Sequence, residues 1–235
     1  MKEPTPLLPS FRPAAALAAA RPGMMPAAPS WILIRLALET RRHHGVADAQ
    51  RLVLLEGATP TSYQDFLGLV LGFESAYERA LVAADVDPKL VRQRVKSSRI
   101  RHDLIALGAS EADLAELPTC VIPVFRTAAE ALGWVYVIER NTLLHGLLRR
   151  HLATVLPEEM ERASSYLAAY GDTPGEHYRE LSTALEDAAR EAITPGEIVI
   201  AAHAAFEAQR LWFEQVSPRR LTEVRAESPG FALAS

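Results

Sequence analysis

The chain has 235 residues, 49 % hydrophobic and 23 % charged, enough for one domain with a substantial buried core. Its net charge of −4 and isoelectric point near 6.0 exclude the electrostatic footprint of a nucleic-acid or anionic-membrane binder. A single cysteine, Cys120, excludes an internal disulfide and a cysteine-based metal cluster and fits a reducing cytoplasm.

Residues 1–30 are expected to be a disordered Ala/Pro tail, because prolines at 4, 6, 9, 13, 22, 26 and 29 break every periodic pattern. From Trp31 to about Leu55 apolar residues recur at helical spacing, and Gly57-Ala-Thr-Pro60 ends that run. Thr61 or Ser62 reads as the N-cap of a helix reaching about Ala84, with Tyr63, Phe66, Leu67, Val70, Leu71 and Phe73 on one stripe. Asp87-Pro88 opens a segment through Leu107 that Gly108 closes. Ser110 with Asp113 predicts a capping box for a short helix stopping before Pro118.

Phe125 to Leu156 reads as a helix pair or one kinked helix, followed by a helix from Pro157 to Tyr170 and a turn at Gly171–Gly175. Glu176–Ile193 and Pro195–Val216 are amphipathic helices, and 217–235 reads as a flexible tail. Strand-like alternation is almost absent. The fold class is all-α: one multi-helix domain over 31–216, with seven to nine helices.

Two helices carry candidate chemistry. On the first, LETRRHHGVAD, Thr40, His44 and Asp48 stand at i, i+4 and i+8 and share one face. A histidine with a carboxylate one turn further on suits an axial iron ligand, Asp48 fixing the ring so that the other nitrogen binds metal. Gly45 beside it suits a flat cofactor lying near the backbone. A lone histidine on a helix face is more often an ordinary surface or core residue. The second helix, ALGWVYVIERNTLLHGLLRRHL over 131–152, sets Trp134 and Tyr136 ahead of a polar interruption at Glu139–Thr142.

Together these helices resemble the proximal and distal helices of bacterial heme oxygenases. Gly133, Trp134, Tyr136, Glu139, Leu143 and His151 match the distal pattern, and YQDFL, HDLIALG, GEHYREL and FEAQRLWF follow in the family's order over residues 31–216. The resemblance implies a heme oxygenase-like bundle that binds b-type heme as cofactor and substrate and cleaves it to biliverdin, iron and CO. It implies His44 as iron ligand, Asp48 as its partner, Thr40, Tyr136, Arg140 and Leu144 lining the heme, and Asn141 and Thr142 near a proton relay. Electrons would come from ferredoxin, flavodoxin or a reductase, and a bacterial phytochrome could take the product.

The chain departs from that pattern at three positions. Arg140 and Leu144 stand where the family has glycines that let the distal helix approach heme-bound oxygen, and Asn141 replaces a serine. Gly146 lies two residues late, a rotation of roughly 200° around a helix. Two readings stay open. Heme binds with altered distal chemistry, with His145 or Arg140 near the sixth coordination site. Alternatively Leu143, Leu144 and Leu147 fill the pocket, leaving a non-catalytic carrier, sensor or interaction scaffold. A thiaminase-like or quinone-cofactor enzyme on a related fold ranks last, because its acidic and cysteine pattern is missing. The basic residues Arg92, Arg94, Lys96, Arg99 and Arg101 are expected on a solvated helix face.

Overall fold

A computed structural model describes residues 30–171, 174–190 and 194–216. The predicted 1–30 tail apart from Ser30, which is buried, the 217–235 tail and part of the 171–175 turn lie outside the described residues. Among the described residues the regular structure is helical, in eleven α-helices and one 3-10 turn. Three of the predicted runs break, at Thr40, at 93–96 and after Arg162.

The first run splits at Thr40 into α1 (Trp31–Glu39) and α2 (Arg41–Leu52). Thr40 leaves helical geometry (φ −90°, ψ 1°), and its buried hydroxyl donates to the Leu36 carbonyl at 2.6 Å. The 3-10 turn Val53–Leu55 follows. α3 (Pro60–Val82) is capped two or three residues before the predicted Thr61 or Ser62. Thr59 is the N-cap, Pro60 occupies N1, and Ser62 answers from N3: its N–H donates to Thr59 Oγ1 at 3.1 Å and its Oγ accepts the Thr59 N–H at 2.8 Å. The Thr-Pro pair therefore opens a helix here, since proline at N1 forfeits only an N–H with no partner anyway.

The 88–107 segment divides into α4 (Pro88–Arg92) and α5 (Ser97–Ala106). The Glu78 carboxylate accepts the N–H groups of Lys96 and Ser97 at 2.6 and 2.9 Å, restarting the chain as a new helix. Gly108, at φ +100°, ends α5 as predicted. α6 (Glu111–Glu116) carries the predicted Ser110/Asp113 capping box. The long pair is α7 (Ala128–Thr142) and α8 (His145–Val155), and α9 (Pro157–Arg162) is shorter than predicted. Asp103 takes the Ser165 and Tyr166 N–H groups at 3.0 and 2.8 Å, which satisfies the backbone outside a helix. α10 (Pro174–Ala188) and α11 (Thr194–Gln215) complete the bundle.

α7 and α11 form its most extensive helix pair, with α3 behind them. Gly133 sets how closely they approach: a Cβ there would lie 2.5 Å from the Ile198 carbonyl oxygen and 2.6 Å from Ala201 Cβ. Trp134 packs between Phe73 and Phe125, at ring separations of 6.3 and 5.6 Å.

Beside this apolar core lies a buried charged layer. Glu74, Glu78 and Glu139 are sequestered with Arg51, Arg94 and Lys96. Tyr166 donates to Glu74 at 2.6 Å and accepts from Arg51 at 3.1 Å. Tyr170 donates to Glu139 at 2.6 Å, while Lys96 and Arg94 approach the same carboxylate at 3.5 and 3.8 Å. The expected solvated basic face is thus corrected. Arg94 and Lys96 point inward because Glu139 and the backbone carbonyls of Leu90 and His177 receive them.

Removing Glu139 would leave two buried cations short of a partner. Glu139→Leu should cost about 3–5 kcal/mol of stability, read as a lower urea midpoint at unchanged slope.

Candidate functional site

The face of α2 that carries Thr40, His44 and Asp48 meets the face of α7 that carries Tyr136 and Arg140. Each set repeats at four residues, so the side chains stack as rungs between the two helices.

The lower rung centres on Thr40, which is fully buried. Its one hydroxyl proton goes to Leu36, so the oxygen can only accept from its other neighbours. His44 Nε2 lies 3.0 Å from that oxygen and must be the donor, which leaves the His44 lone pair on Nδ1. Tyr136, on the facing helix, is buried and stands edge-on to Phe206 at 6.4 Å. Burial pushes the Tyr136 pKa up, against the pull of Thr40 and the Arg140 charge.

The upper rung is an ion pair. Arg140 donates through both terminal nitrogens to the two oxygens of Asp48, at 2.6 and 2.9 Å. This two-point geometry is the strong form of an Arg–carboxylate contact. Both side chains keep partial access to water, 13 % for Arg140 and 21 % for Asp48. Asp48, expected to orient His44, has its two oxygens committed to Arg140, and Thr40 orients the ring instead.

His44 sits between the rungs, its ring 5.6 Å from that of Phe206 on α11. Desolvation and the Arg140 charge lower its pKa to about 4, with Asp48 opposing, so the imidazole is neutral at neutral pH. Beside it His43 stacks on Phe206 at 5.4 Å, and its Nε2 lies 2.9 Å from His203 Nδ1. Burial and neighbouring cations lower the pKa of both histidines.

The other expected site residues face elsewhere. Asn141 is buried against α11 and donates to Gln209 at 2.8 Å. Thr142 turns its hydroxyl back to the Glu139 carbonyl at 2.6 Å. Leu144 is buried and His145 is packed on Tyr166 at 4.5 Å, whereas Leu143 is exposed and fills no pocket. Phe206, His203 and Gln209 carried no expected site role. His203, Phe206 and Gln209 recur every three residues on α11, the one sequence signal that they share a flank. Among the described residues no group of three or more His, Cys, Asp or Glu side chains could hold a metal ion. None of the described helices is long and apolar enough to cross a membrane.

No protein-family model and no curated protein matches the chain. Among solved structures it is similar to the heme oxygenase of Neisseria meningitidis in its NO- and CO-bound forms, with a TM-score of 0.56 and 21 % identity. The match covers 81 % of this chain and 92 % of that one. The chain therefore has the heme oxygenase fold.

The three histidines near Phe206 make stability depend on pH in a defined direction. Each is neutral in the fold at a pH where the unfolded chain, with a pKa of 6.5, already takes up protons. Their contribution is complete above about 6.5 and is lost as pH falls toward the folded values, about 4 for His44. Denaturation midpoints should therefore drop between about pH 7 and about pH 5. The drop should shrink in His44→Gln, which keeps a donor for Thr40.

Proposed function

We propose that this protein is a non-catalytic binding scaffold on the heme oxygenase fold, its cofactor cleft closed by side chains of the chain itself. The observation that carries this reading is the Arg140–Asp48 pair, which spans the gap between α2 and α7 at 2.6 and 2.9 Å. A flat ring system between two helices needs roughly 7 Å between lining atoms, two contacts of about 3.5 Å. A hydrogen-bonded bridge leaves no such clearance. The residues present do not fit heme in this arrangement, although His44 retains the neutral nitrogen of a ligand.

Oxidative cleavage of heme to biliverdin, with ferredoxin, flavodoxin or a reductase as donor and a phytochrome as acceptor, therefore ranks below binding without turnover. Arg140 and Leu144 weigh against it further, since they place side chains where the family pattern has bare backbone. A heme carrier or sensor is the second reading. It is favoured by the neutral His44 and by the partial exposure of the bridge, which water and salt can loosen.

Hemin titration of the purified protein, then ascorbate in air, separates these readings. The closed cleft predicts no saturating one-to-one Soret shift in the wild type and a gain of heme absorbance in Arg140→Gly combined with Leu144→Gly. A stable ferric wild-type complex that His44→Ala abolishes would establish the carrier or sensor. A biliverdin spectrum from the wild type would overturn the non-catalytic reading.

A further inference from the structure

The segment after α6 lies close on α3. The Cys120 N–H donates to the Gly72 carbonyl at 3.0 Å. A Cβ at Gly72 would collide with the Pro118 carbonyl oxygen and lie 2.7 Å from Trp212. Glycine at 72 thus lets the segment seat, and beside it a recess of about 170 Å³ remains between α3, α5 and α6. At about 30 Å³ per water molecule that is room for roughly six waters.

Its walls divide by chemistry. Leu71, Leu114 and Leu117 supply an apolar floor, while Ser75 and Thr119 present hydroxyls and Arg79 and Arg101 guanidinium groups. The two arginines differ in what they are free to do. Arg101 is ion-paired with Glu111 at the rim. Arg79 makes no ion pair or side-chain hydrogen bond among the described residues, although its guanidinium has five donors in a fixed fork. The buried carboxylate of the preceding residue, Glu78, is turned to the start of α5, where two N–H groups and the Ser97 hydroxyl satisfy it.

We propose that this recess binds a small carboxylate carrying a short apolar chain. A free planar guanidinium matches one carboxylate through two parallel hydrogen bonds. A doubly charged phosphate would call for a second free cation, and Arg101 is engaged. The hydroxyls of Ser75 and Thr119 complete the head-group contacts, and the leucines take a chain of about five carbons, the length the volume allows. The site is separate from the α2–α7 cleft, so it stands whether or not that cleft admits heme.

The test is ligand-observed NMR on the full-length protein with hexanoate and, as the uncharged control, hexanol. Hexanoate should bind saturably with a Kd on the order of 1 mM, the range for a ligand of this size, and hexanol should not. Arg79→Gln, at an exposed position, should weaken hexanoate at least about tenfold with unchanged circular dichroism. Ser75→Leu should abolish binding by filling the recess. Absence of saturation, equal binding of hexanol, or undiminished binding to Arg79→Gln would each overturn the assignment.

Discussion

The pairing of Arg140 with Asp48 is the constraint on which the rest of the site depends. It joins the helix that carries His44 to the helix expected to cover it. A guanidinium brought into a half-buried interface without a partner loses hydration it cannot recover. Asp48, one turn beyond His44, supplies the partner in two-point geometry, and the helices close around the pair. Its proximity also helps to keep His44 neutral, because the Arg140 charge opposes a second cation beside it. Burial does most to keep His44 neutral, with the Arg140 charge adding to it and Asp48 opposing.

The distal-helix text divides by role. The positions that match the family pattern carry the fold: Gly133 admits α11 to close contact, Trp134 packs between Phe73 and Phe125, and Glu139 receives Arg94 and Lys96. The positions that depart from it are Arg140, Asn141 and Leu144, which bridge to α2, bond to α11 and enter the interior. Packing tolerates few changes at 133, 134 and 139, since each is enclosed on every side. At 21 % identity to a solved heme oxygenase the chain keeps that fold, and the contacts of 133, 134 and 139 are among those that hold it.

The all-α class and most helix starts were legible in the sequence, whereas the facing of α2 and α7 came only from the family resemblance, which expected heme between them. Periodicity marks which residues face inward, and caps such as Ser110/Asp113 are local signals. The breaks at Thr40, at 93–96 and after Arg162 were not, because each depends on a bond from a distant or unexpected group. Glu78 stops and restarts the chain at α5 from another helix, and Asp103 does the same before Tyr166. The inward turn of Arg94 and Lys96 was hidden for a like reason. A run of basic residues looks solvated until the carboxylate that draws two of them inside is located, and Glu139 is remote in sequence.

The role of Asp48 shows the same limit at the site itself. Spacing placed it on the His44 face correctly, and a histidine followed by a carboxylate one turn later invites the inference that they bond. Two groups compete for that carboxylate, however, and a permanently charged fork holds both oxygens where an imidazole would hold one. Thr40 is then left to orient the ring from the opposite side, and because its own proton is spent on Leu36 it can only accept. The choice of tautomer, and with it the nitrogen left free for any ligand, follows from a threonine hydroxyl at a helix break that no periodicity could reveal.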